Sequence, residues 1–76
     1  MVASLVLVEG DDVIEEDLMI LLTRTEEFQI GRVDGFGFLI HFVTRSEQDH
    51  DAAIAALSTE VPNVTGILTH ATKHAG

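Results

Sequence analysis

Cysteine is absent from this chain, so neither a disulfide nor a thiolate metal site braces it. Basic residues are scarce: four Lys and Arg stand against thirteen acids, a formal charge of −9. Neutralising phosphates takes clustered basic side chains, so the balance argues against nucleic acid as a partner. It favours a basic partner, which such a field attracts and orients, besides keeping an apolar domain soluble. No apolar run approaches the roughly 20 residues that span a bilayer, so no membrane insertion is expected. The amino terminus lacks the basic stretch that opens a secretion signal, and the expected location is cytoplasmic.

What is present is a generous apolar fraction, 46% of 76 residues. That disfavours disorder and fits one domain over 1–76, near the size where a single core is only marginally stabilising. Val2-Ala3-Ser4-Leu5-Val6-Leu7-Val8 and Phe36-Gly37-Phe38-Leu39-Ile40-His41-Phe42-Val43 read as strands that are apolar on both sides. A strand with one wet face alternates apolar and polar residues, whereas a near-continuous apolar strand implies cover on both faces.

Between and beyond these strands the punctuation is clear. Glu9-Gly10-Asp11 breaks the first strand, and Asp12 stands three residues before Glu15, a capping-box-like helix start. Val13, Ile14, Leu18, Leu21 and Leu22 follow at helical spacing, predicting a helix over about 12–25. Phe28 to Val33 reads as the second strand, and Asp34-Gly35 as a hairpin turn into the Phe36 strand. A two-residue loop there pairs Val33 with Phe36, while a three-residue loop with a bulge aligns Phe28 and Ile30 with the Phe36 side. Ser46 caps a second helix with Glu47 and Asp49 in its first turn, and Ala53, Ile54, Leu57 and Val61 form its apolar stripe. Pro62 stops it, Val64 to about Ala71 forms the last strand, and Thr72 to Gly76 reads as a frayed tail.

The order β-α-β-β-α-β predicts an α+β, ferredoxin-like fold: a four-stranded antiparallel sheet with two helices on one face. The first and third strands lie in its middle, and these are the two that read apolar on both sides. The arrangement leaves one sheet face bare, and the composition makes that face apolar. On the third strand the bulk of Phe36, Phe38, Ile40 and Phe42 suits the core, leaving Gly37, Leu39, His41 and Val43 outward. On the first strand Ser4 is the only polar residue, which puts Ser4, Val6 and Val8 outward; Thr65, Ile67 and Thr69 are the outward set of the last strand. The candidate peptide-binding residues are therefore Ser4, Val6, Leu39, His41, Ile67 and Thr69, with Glu9, Asp11 and Asp12 as an electrostatic rim.

No constellation for catalysis or a cofactor stands out. The acids from Glu9 to Asp17 lack the alternating ligands, central glycine and closing glutamate of a calcium loop. His70 and His74 are four apart but fall at a strand end, where that spacing does not bring two imidazoles together, so no metal is expected. Ser46, Asp49 and His50 contain the letters of a hydrolytic triad, yet their closeness on one helix prevents the relay, and capping explains Ser46. Gly35-Phe36-Gly37 enters a strand rather than a helix and is no dinucleotide fingerprint.

Ser4-Leu5-Val6-Leu7-Val8 resembles the short opening motif of the NapD family of cytoplasmic chaperones. Gly37-Phe38-Leu39-Ile40-His41-Phe42 falls where that family has its glycine-led third strand, and Val64-Thr65-Gly66-Ile67-Leu68 is similar to its closing motif. The resemblance runs over nearly the whole chain. It implies a maturation chaperone for the molybdenum-containing catalytic subunit of a periplasmic nitrate reductase, an exported redox enzyme whose twin-arginine signal peptide is bound as a helix on the sheet. Such a signal joins a basic segment to an apolar one, which matches acids beside an open apolar sheet. The chain also looks similar, from Gly35 to Leu68, to the free-standing small-molecule-sensing domain of Lrp-type regulators. That resemblance implies a homodimer in which a second copy closes the same sheet face.

Overall fold

A computed structural model describes residues 1–75; Gly76, the end of the expected tail, lies outside the described residues. The element order is β1 (Val2–Glu9), α1 (Glu15–Leu22), β2 (Glu27–Val33), β3 (Gly37–Thr44), α2 (Glu47–Thr59) and β4 (Gly66–His74). The strands form one antiparallel sheet in the order β2-β3-β1-β4, with β1 and β3 in the middle as expected. This is the ferredoxin-like α+β arrangement. The core lies between the sheet and the two helices: Val6, Val8, Phe38, Ile40 and Phe42 meet Leu18, Leu21, Leu22 and Leu57, with Val13 and Val61 closing its ends.

The helix ends follow from different chemistry. Ser46 Oγ accepts the Asp49 amide at 3.1 Å, the expected cap of α2. At α1 the expected Asp12 cap is not used: the flanking residue is Ile14, with no side-chain hydrogen bond, and the helix is shorter than 12–25. The Asp12 carbonyl instead accepts Asn63 Nδ2 at 3.2 Å, which holds the loop outside the helix and lets Val13 plug the core from a non-helical position. Thr23 and Thr25 close the other end, their hydroxyls donating to the Ile20 and Leu22 carbonyls at 2.6 Å each.

Between β2 and β3 the hairpin is the three-residue form. Val33 pairs with Gly37, the Phe36 amide donates to the Val33 carbonyl at 3.0 Å, and Asp34-Gly35-Phe36 make the loop. Phe28 and Ile30 thus face Phe42 and Ile40 across the strands and pack on the core. Phe36 turns out to be 61% exposed, because it belongs to the loop and not to the strand. Gly37 has a φ of +145°, and a Cβ there would run into the Val8 carbonyl, so this close approach of β3 to β1 admits only glycine. The tail expected to fray from Thr72 is strand to His74, and the Met1 amino group donates to the Ala75 carbonyl at 2.6 Å.

Candidate functional site

Among the described residues no element covers the face of the sheet away from the helices. Its side chains lie in rows across the strands, fixed by the register. Gly31, Leu39, Leu7 and Leu68 form one row. Toward the end of β1 the next row is Val33, Gly37, Glu9 and Gly66. Toward the start of β1 follow Gln29, His41, Leu5 and Ala71, and then Glu27, Val43, Ala3 and Lys73. The leucine row is the apolar centre: Leu68 is 56% and Leu39 38% exposed, flanked by half-buried Leu7. Gly31, exposed in the same row on the edge strand, leaves backbone accessible beside it, and glycine at such a place permits close approach of another chain.

Leu39 and His41 lie on this open face, and Glu9 points to it from the end of β1. Asp11 and Asp12 follow in the exposed turn beyond that strand end. Four of the expected site residues lie elsewhere. Val6 is fully buried and Ser4 is 1% exposed, both on the helix side of β1. Ile67 pairs with Val8 and packs on the core, and Thr69 pairs with Val6 on that same side at the sheet edge. The physical reason on β1 is a polar partner. Ser4 Oγ lies 2.5 Å from His50 Nε2 and 3.2 Å from Thr72 Oγ1, so its hydroxyl is satisfied inside. On β4 the register slips between Leu5 and Val6, which leaves Leu68 outward before the irregularity and Ala71 outward after it.

His50 completes a chain that the sequence did not reveal. Its ring stacks on Phe42 with centroids 5.6 Å apart, and its Nδ1 lies 3.1 Å from Asp51 Oδ1. Ser4, His50 and Asp51 thus stand in the connectivity of a nucleophile, base and orienting acid. Ser4 is enclosed between the sheet and α2, however, and a substrate carbon has no route to its oxygen in this conformation. The arrangement instead ties the start of α2 to β1 and β4.

Charge on the open face is sparse and arranged by end. Among the described residues its charged side chains are Glu9, Glu27 and Lys73, with His41 between them. Glu9 sits beside Gly66, where a Cβ would come within 3.4 Å of its carboxylate, and Asp11, Asp12 and Asp34 occupy the loops at that end. The arginines lie elsewhere. Arg24 bonds Glu60 at 3.2 Å, Arg45 bonds Glu26 at 2.5 Å, and Arg32 lies over the Phe38 ring at 5.3 Å. The first two line a concavity of about 280 Å³ beside α2 together with Ala52, Ala53, Ala56 and Asp49, and both guanidinium groups there are already paired with carboxylates.

Among the described residues no group of three or more His, Cys, Asp or Glu could hold a metal ion, and no helix is long and apolar enough to cross a membrane. Comparison with models of known families, with characterised proteins and with solved structures returns no match for this chain.

Proposed function

We propose that this domain binds a basic, apolar peptide as a helix on its open sheet face, in the manner of a NapD-type cytoplasmic chaperone for a twin-arginine signal peptide. The client is then an exported redox enzyme, a periplasmic nitrate reductase catalytic subunit on the strength of the family resemblance. The observation that carries the reading is the uncovered row Leu39, Leu7 and Leu68 on a chain of net charge −9. Apolar contact with a helix supplies affinity. Acids at one end of the face speed encounter with a basic segment and set its orientation.

The homodimeric sensor uses the same face with a second copy as its cover. Two copies bring −9 against −9, a repulsion that a basic peptide converts into attraction. Mass measurement in solution, alone and with a synthetic twin-arginine peptide, separates the two. A monomer of 8.3 kDa that gains one peptide supports the chaperone reading; a tight dimer indifferent to peptide contradicts it.

A further inference from the structure

Building on that reading, we propose that the peptide has one direction on the sheet: its basic amino-terminal end lies over Glu9 and Gly66, and its apolar part runs toward Lys73. The open face is electrically asymmetric along its strands. Glu9 lies on the face at one end, with Asp11, Asp12 and Asp34 in the adjoining loops; the one arginine near them, Arg32, lies over the Phe38 ring on the helix side and leaves that end net acidic. At the other end Lys73 stands in the row of Ala3 and Val43, near the Met1 amino group that is bonded to Ala75. Glu27 shares that far row but sits on the opposite edge strand.

Two independent charges of the peptide respond to this asymmetry. Its basic side chains seek the acidic end. Its backbone, once helical, carries about half a positive charge at the amino terminus and the opposite at the carboxyl terminus. Because a twin-arginine signal places its basic segment before its apolar one, both terms select the same direction. The reversed peptide would set its arginines beside Lys73 and its negative helix end against the four acids.

The register also fixes spacing. Successive rows on one face are two residues apart along a strand, about 7 Å. With 1.5 Å of rise per residue, a helix covers that distance in about four or five residues. Arginines over Glu9 therefore place the residue about one turn later on Leu39, Leu7 and Leu68, in the row that follows. The strip from the Glu9 row to the Lys73 row is about 20 Å long, room for about 13 helical residues.

The test uses a synthetic helical peptide with two adjacent arginines, a four-residue spacer and an apolar stretch, carrying a nitroxide at one end or the other. Amide spectra of the isotope-labelled domain report which residues broaden. The label at the arginine end should broaden Glu9, Gly37 and Gly66; the label at the far end should broaden Ala3, Val43 and Lys73. Glu9→Gln should weaken binding about two- to fivefold, the range of an exposed charge pair. The opposite broadening pattern, or both labels reaching both ends, overturns the direction while leaving the peptide site standing. No response at any open-face amide overturns both the direction and the proposed function. A dimer of twice 8.3 kDa that the peptide does not dissociate does the same.

Discussion

Replacing Ser4 by alanine should cost far more than one small hydroxyl on a strand would suggest. Ser4 is 1% exposed, and its oxygen serves both His50 Nε2 at 2.5 Å and Thr72 Oγ1 at 3.2 Å. Alanine leaves the buried imidazole nitrogen without a partner, at a cost of about 1–3 kcal/mol. A domain of this length has about 4–11 kcal/mol of total stability, from the usual per-residue range. At 2 kcal/mol the melting temperature should fall by about 8–16 °C. The second arm is His50→Phe, which keeps a ring against Phe42 and removes both nitrogens. In that background Ser4→Ala orphans no imidazole and should cost under about 1 kcal/mol, a coupling of at least about 1 kcal/mol. Chemical denaturation of the four proteins measures the cycle. Costs that simply add, or a Ser4→Ala loss below about 0.5 kcal/mol, would refute a buried partnership between the two residues.

Further outcomes follow from the same geometry. Leu39→Asp and Leu68→Asp should each cost about 1–2 kcal/mol, from lost apolar contact and the poor strand propensity of aspartate, and leave a folded domain, whereas Val6→Asp should leave no folded domain at any temperature, read by circular dichroism. Equal tolerance at Val6 and Leu39 would reverse the assignment of the two faces. Gly37→Ala should destabilise by more than the roughly 1 kcal/mol of an ordinary glycine change, because its φ of +145° and the Val8 carbonyl both oppose a Cβ; unchanged denaturation would contradict that close approach. Association with a basic peptide should slow as salt rises from low to high ionic strength in stopped-flow mixing, since charges at the rim act mostly on encounter. A salt-independent rate would confine the acids to solubility.

The element order, the α2 cap and the core face of β3 were legible in the sequence because each rests on local signals. Ser46 precedes Glu47 and Asp49, and the bulk of Phe38, Ile40 and Phe42 falls on one side of a single strand. The facing of β1 was not legible, since Val6 and Val8 on one side look no different from Leu5 and Leu7 on the other. The lone polar residue Ser4 misled, because its inward partner His50 lies 46 positions away. On β4 the register slip defeats any single alternation, so Ile67 and Thr69 read as outward while Leu68 and Ala71 hold that face. The helix stripe of α1 was visible, but the loop bond from Asn63 to Asp12 that shortens it spans 51 positions. Ser4, Val6, Ile67 and Thr69 were therefore read on the right strands and the wrong face, while Leu39 and His41 were read on the right one.

The central claim is that the sheet face, and not the helical side, takes a basic apolar peptide. Calorimetric titration of one synthetic twin-arginine peptide into the wild type, Leu39→Asp and Ile20→Asp tests it directly. Ile20 is the control, an apolar α1 residue that is 61% exposed. An aspartate at Leu39 must be desolvated under the peptide, about 1–3 kcal/mol, so affinity there should fall roughly 5- to 150-fold while Ile20→Asp binds as the wild type does. Undiminished affinity in a folded Leu39→Asp, or loss of binding in Ile20→Asp instead, would contradict the account.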